Sequence, residues 1–280
     1  MKNKIVLFVV AVLTTVLLAA CGGDESNKVE TNTVGTEGVL KVGMEAGYAP
    51  FNWSQTTDAN GAVAINGTSE YAAGYDIEIA KKVAEELGLE LQIVKLEWDG
   101  LLPALQTNVI DVIIAGMSPT AKRKKEIDFT SNYYTSDFVI VTKADGKYAG
   151  ATSFADLDGA HITAQLNTTN YDVITQIPNV KQHVGMDNFS AMRVAVETGV
   201  VDGYIGERPE ATSAAAANPN LVIVDVASEF KTSEEDVAVA IGVRKNFEFT
   251  EAMNKAIDAI TEEQRMELME QALLNQPSVQ

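Results

Sequence analysis

One cysteine, Cys21, occurs in 280 residues. An intramolecular disulfide, a cysteine zinc site and a cysteine-ligated iron–sulfur cluster are therefore excluded. Histidine is almost as scarce. His161 and His183 stand alone, with no HExxH and no paired spacing, and no GxSxG turn is present to hold a nucleophilic serine. Metal and nucleophilic catalysis are poor candidates, and no cofactor is expected. Positive charge is also short: 21 Lys and Arg stand against 39 Asp and Glu, a net charge of -18. A surface this acidic repels phosphate backbones, and no basic stripe or RNA-reading aromatic motif offsets it, so nucleic acid is a poor partner. What is present is ordinary globular material. The 46% apolar content supplies a core, and the length suits one large domain or two of moderate size.

The longest apolar or small run, Ile5 to Ala20, follows Lys2 and Lys4. It is rather short for a membrane span, which needs ~20 residues, and it fits the core of a secretory signal. It ends Leu18-Ala19-Ala20-Cys21, which resembles the bacterial lipobox, in which the cysteine becomes the acylated first residue of the mature chain. Residues 1–20 are thus expected to be a lipoprotein signal peptide. Diacylglycerol on Cys21 supplies two long chains, enough for stable anchoring. Residues 21–37 are polar, glycine-containing and aperiodic, and read as a flexible tether.

From Gly38 strand and helix patterns alternate. Val39 to Met44 is β-type. Ile77, Ala80, Ala84 and Leu87 give a helix stripe that opens at Gly74-Tyr75-Asp76 and stops at Gly88. Leu91 to Leu96 reads as a strand, Asp99 as the cap of a helix carrying Leu101, Leu102 and Leu105, and Ile110 to Ala115 as a buried parallel strand. A second series follows: a strand at His161–Ala164, helices at Thr168–Ile177 and Asn188–Thr198, and strands at Val201–Ile205, Leu221–Val226 and Val237–Val243. Terminal helices at Thr250–Ile260 and Glu262–Leu274 close the chain. Residues 54–73 and 211–220 read as loops, with Ala214–Ala217 as a short helix. Such alternation argues for an α/β fold.

Chemistry concentrates in Ala115-Gly116-Met117-Ser118-Pro119-Thr120-Ala121-Lys122-Arg123. A strand end followed by a small-residue turn frees backbone N–H groups that hold an anion, and an arginine a few residues on adds a forked grip on a carboxylate. Lys122, Lys124 and Lys125 read as a solvated face. This stretch resembles the signature of the polar amino-acid-binding proteins of bacterial ABC importers, extracellular solute-binding proteins of family 3. Five further blocks follow that family's order: Tyr48-Ala49-Pro50-Phe51, Gly74-Tyr75-Asp76-Ile77, Trp98 to Leu105, Gln165-Leu166-Asn167-Thr168 and Val201-Asp202-Gly203-Tyr204.

The resemblance implies a two-lobed periplasmic-binding-protein type II fold, each lobe a mixed sheet flanked by helices. Lobe 1 is expected over 38–139 plus 243–275 and lobe 2 over 142–237, with hinge crossings near Val139–Lys143 and Ala238–Val243. It implies a receptor, not an enzyme, that closes on one L-amino acid and delivers it to a membrane permease driven by an ATPase. The chain is expected as a monomer held by its lipid on the outer face of the cell membrane. Arg123, Ser118 and the backbone N–H groups near Gly116 to Ser118 would meet the carboxylate, with Thr168 and Thr169 gripping it from the second lobe, and Ala115 would also touch the ligand. Glu207, where the family usually has an aspartate, would meet the ammonium. Tyr48 and Trp98 would flank the side chain. Glu45 matches an acid that faces the far end of basic ligands, which favours lysine or arginine, whereas Gly116 replaces a serine of some basic-amino-acid members. A neutral amino acid, a dehydratase using Glu207 as base and a sensory input module are the competing readings.

Overall fold

The computed structural model describes residues 38–277. The leader, Cys21 and the tether lie outside the described residues. In chain order the strands are β1 (Val39–Met44), β2 (Gly47–Tyr48), β3 (Asn52–Gln55), β4 (Val63–Ala64), β5 (Tyr71–Ala73), β6 (Glu90–Lys95), β7 (Val112–Ile113), β8 (Asp128–Thr135), β9 (Phe138–Lys143), β10 (His161–Thr163), β11 (Lys181–Gln182), β12 (Gly203–Glu207), β13 (Leu221–Val224) and β14 (Ala238–Val243). The helices are α1 (Tyr75–Leu87), α2 (Trp98–Gln106), α3 (Thr169–Asp172), α4 (Phe189–Glu197), α5 (Arg208–Ala217), α6 (Glu234–Val237), α7 (Thr250–Asp258) and α8 (Glu262–Asn275). Among the described residues no helix is long and apolar enough to cross a membrane.

The architecture is mixed α/β and two-lobed. The first lobe holds a sheet ordered β6-β1-β7-β14-β8, the second a sheet ordered β11-β10-β12-β9-β13. The two repeat one design. Three neighbouring strands are parallel, β6-β1-β7 and β11-β10-β12, and two antiparallel strands follow. Parallel strands need crossover connections, and helices supply them. A small antiparallel sheet, β2-β3-β5-β4, packs onto the first lobe. The first core joins Leu40, Val42, Ile113, Ile241 and Met253. A second core gathers Phe138, Ile140, Leu157, Ile162, Ile205 and Phe230.

The chain passes between sheets twice, at Ser136–Asp137 and at Val237–Ala238. The Ser136 N–H donates to the Val237 carbonyl at 2.9 Å, so the two crossings run side by side. They fall a few residues from the crossings expected, because Phe138–Lys143 pairs along its length with β12 and β13 in the second sheet, and Ala238–Val243 pairs with β7 and β8 in the first.

Local departures have local causes. Residues 54–73, expected as a loop, contribute strands of two to four residues, too short to display alternation. Only Val112 and Ile113 of the Ile110–Ala115 run pair as a strand; the rest of that apolarity reflects burial. The stretch expected as a loop at 211–220 belongs largely to α5, which Pro209 opens and alanines extend. Asp99 caps nothing. Helix α2 begins at Trp98 after Glu97, and the Asp99 carboxylate accepts from Asn167 Nδ2 at 2.9 Å instead. Strand β12 runs two residues later than expected, which makes Glu207 its last residue.

Caps work as the sequence suggests elsewhere. Thr261 accepts from the Gln264 N–H while the Gln264 side chain accepts from the Thr261 N–H, a reciprocal cap on α8. Thr261→Ala is expected to cost about 1 kcal/mol, read as a lower denaturation midpoint at unchanged slope.

Candidate functional site

Both lobes present the carboxyl ends of their parallel strands to one cleft, where open α/β sheets bind ligands. Glu45 and Tyr48 follow β1, Trp98 follows β6, and Ala115, Gly116 and Ser118 follow β7. Across the gap, Gln165, Thr168, Thr169 and Asn170 follow β10, and Glu207 ends β12. All these residues, with Arg123 and Phe189, line the same cleft. The ten positions singled out in the sequence for ligand contact (Arg123, Ser118, Gly116, Ala115, Glu207, Tyr48, Trp98, Thr168, Thr169 and Glu45) are thus neighbours in space.

Arg123 sits in a short 3₁₀ turn between exposed lysines. Its Nη1 donates to the Ser118 carbonyl at 3.0 Å and its Nη2 to the Asn167 carbonyl at 3.3 Å. The guanidinium lies over the Trp98 ring, 5.0 Å from its centroid, a cation–π contact. Among the described residues no carboxylate stands within ion-pair distance of it. Burial therefore lowers its pKa to about 10, with the charge of Asp172 opposing the shift. A guanidinium held by carbonyls and an aromatic face, without a counterion, is oriented to receive an anion.

Gly116 makes the turn beside it. Its φ is +63°, and a Cβ there would stand 2.6 Å from Tyr48 Cε1, so only glycine fits. Its N–H donates to the Tyr133 hydroxyl at 3.3 Å. Tyr133 donates to Asp76 at 2.7 Å, and Asn52 donates to the other Asp76 oxygen at 2.8 Å. The Gly-Tyr-Asp-Ile block thus supplies a buried prop for the loop. Burial raises the Asp76 pKa to about 6, against the hydrogen bonds from Tyr133 and Asn52.

Two acids face the same space. Glu207 is 8% exposed; burial, and then the charge of Glu210, push its pKa up to about 8. It does not pair with Arg208, which binds Asp137 and Asp225. Glu45 accepts from Gln165 Nε2 at 2.8 Å. Burial raises its pKa to about 7; the Gln165 bond opposes the shift, and the charges of Glu97 and Asp99 add to it.

The lobes already touch across the cleft. The Tyr48 hydroxyl donates to Glu207 Oε2. Tyr48 is stacked between Phe51 and Phe189, with centroids 5.1 and 4.6 Å away. Asn167, in the left-handed region at φ 59, takes the Trp98 indole N–H at 3.3 Å as well as Arg123 on its carbonyl. The cavity left is about 20 Å³, space for one water molecule. Seating a larger ligand therefore requires Tyr48, Phe189 and Glu207 to part.

Sequence reasoning assigned no cleft role to Phe189, Asn170 or Gln165. Phe189 reads as the apolar first turn of an amphipathic helix. Gln165 lay inside a recognised block, and its place beside the nominated Thr168 was the available signal. Thr168 accepts from the Tyr171 N–H as the cap of α3.

Comparison with known proteins agrees with this architecture. The arginine-binding extracellular protein ArtP of Bacillus subtilis is 28% identical over 95% of each chain, and a probable histidine-binding protein of Campylobacter jejuni is 28% identical over 92% of this chain and 93% of its own. The structure of AbpA, an amino acid ABC transporter substrate-binding protein from Streptococcus pneumoniae bound to L-arginine, superposes with a TM-score of 0.73 at 27% identity, covering 86% of this chain and 97% of that one. Residues 40–275 match the sequence profile of the bacterial extracellular solute-binding proteins, family 3, and the chain belongs to that family.

Proposed function

We propose that the protein is the receptor of an amino-acid ABC importer and that its ligand is L-arginine or L-lysine. The observation that carries this reading is the charge count of the cleft: one guanidinium, Arg123, and two carboxylates, Glu45 and Glu207. An α-amino acid zwitterion uses Arg123 for its carboxylate and Glu207 for its ammonium. Glu45, half-buried in the cleft, is then left beside the ligand, and a second cation on the ligand neutralises it. Tyr48, Trp98 and Phe189 offer flat apolar faces to an alkyl stem. That ArtP is an arginine-binding protein and AbpA was seen with L-arginine supports the same reading.

The ligand bridges Arg123 on one lobe and Glu207 on the other, and so favours the closed arrangement by differential contacts. The adjoining crossings at Ser136–Asp137 and Val237–Ala238 serve as the hinge. The closed receptor, a monomer tethered through acylated Cys21 to the outer face of the membrane, then delivers its cargo to a permease and ATPase. A thermal-shift screen of the common amino acids tests the ligand. Arginine or lysine at ~100 times Kd adds about 2.7 kcal/mol, several degrees for a domain of this size. A shift with glutamine or another neutral amino acid, and none with arginine or lysine, would overturn the assignment.

A further inference from the structure

Behind Glu207 lies a second carboxylate that no ligand contact uses. Glu210 is fully buried, one helical turn beyond Glu207 on α5. Its Oε1 accepts from Arg193 Nη2 at 2.7 Å and Nε at 3.2 Å, and from the Tyr204 hydroxyl at 2.9 Å. Its Oε2 has no hydrogen-bond partner among the described residues. That oxygen is turned back toward the junction of β12 and α5: a Cβ added to Gly206 would stand 2.5 Å from it. Glycine at 206 thus leaves room for an unpartnered carboxyl oxygen beside the backbone just before Glu207.

We propose that Glu210 is a positioning residue whose negative charge adds to burial in keeping Glu207 protonated in the ligand-free protein, so that seating the ligand's ammonium expels one proton to solvent. This rests on Glu207 being the ammonium acceptor. The groups around Glu207 are few. From β2 comes the Tyr48 hydroxyl, which bonds it. From α5 comes Glu210. Arg193 on α4 and Tyr204 on β12 are both spent on Glu210. Arg208, next in the chain, is held by Asp137 before β9 and Asp225 after β13. Arg123 and Glu45 line the cleft opposite it, and Asp172 on α3 acts on Arg123. Among the described residues no cation is bonded to Glu207, and the like charge of Glu210, on the helix that follows it, lies behind it. Neutral Glu207 spares the cleft a buried unpaired anion. When an ammonium arrives, the carboxyl O–H bond breaks, its proton leaves for water, and the resulting carboxylate pairs with the ammonium. Burial raises the Glu210 pKa, and the charge and hydrogen bonds of Arg193, with the Tyr204 hydroxyl, oppose that rise; the Arg193–Glu210 pair also ties α4, which Phe189 opens, to α5, which Glu207 precedes.

The test is the titration of Glu207 itself. Glutamate labelled with ¹³C at the side-chain carboxyl is incorporated into the ligand-free protein, and the Glu207 resonance is identified by its loss in Glu207→Gln. In Glu210→Gln the Glu207 midpoint is expected to fall by about 1 pH unit. The double variant Arg193→Gln/Glu210→Gln, which removes both charges together and leaves no unpaired ion, should still shift the midpoint downward but by less, because the lost Arg193 cation offsets part of the lost Glu210 charge. Arginine binding to Glu210→Gln, followed by calorimetry, should then be about tenfold tighter than wild type at pH 6.5 and within about twofold at pH 8.5, because one unit of midpoint is one decade of proton competition. An unmoved Glu207 midpoint in both variants, or an affinity loss equal at both pH values, would overturn the proposal. A lowered midpoint in a protein that binds neither arginine nor lysine would uphold the action of Glu210 on Glu207 and overturn the ligand reading instead.

Discussion

Arg123→Ala is expected to weaken arginine binding by more than about 100-fold, measured by titration calorimetry at neutral pH. Charge-assisted hydrogen bonds contribute about 1.5–3 kcal/mol each, and a forked grip loses two of them, which converts to two or more decades. The geometry makes the loss hard to recover. The Ser118 carbonyl and the Trp98 ring hold the guanidinium from its own lobe, and the Gly116 loop offers N–H groups but no second cation. Arg123→Lys should recover part of the affinity, because it restores charge without the planar fork. Unchanged affinity in Arg123→Ala would remove the carboxylate grip and with it the clamp between lobes.

The ten nominated residues line one cleft because they fall in short blocks that follow the strand ends of both sheets, and those blocks come in order along the chain. Glycine at 116 is required by a positive φ and by the approach of Tyr48. Asp76 was visible as part of a block, but its work was not: the bond through Tyr133 to Gly116 joins three segments distant in sequence. Phe189 and Asn167 were missed for a related reason. Their roles depend on closure of one lobe on the other, and neither periodicity nor spacing reports that. The crossings were misplaced by a few residues because β9 and β14 look the same whether they end a lobe or begin one. Lys122, Lys124 and Lys125 were read as solvated and are exposed.

Exchanging Glu45 for glutamine is expected to weaken arginine binding by about 100-fold while changing the affinity for citrulline, its neutral isostere, by only a few-fold. Removing one partner of a buried, hydrogen-bonded charge pair costs about 2–5 kcal/mol, and that cost falls on the ligand that carries the second cation. Comparing both ligands on both proteins isolates the Glu45–guanidinium term from any general loosening of the cleft. The pH dependence has a definite sign. Burial raises the Glu45 pKa to about 7 from 4.5, so the folded, ligand-free protein holds this proton more tightly than the unfolded chain does. That contribution to stability is fully present below about pH 4.5 and is lost as pH rises through about 7. A bound guanidinium reverses the preference, because it needs the carboxylate. Arginine affinity should therefore fall as pH drops below about 7, and Glu45→Gln should flatten both its own share of that fall and the loss of ligand-free stability toward alkaline pH. If arginine and citrulline lose affinity equally, Glu45 does not face the distal group, and the charge count that selects a dibasic ligand fails with it.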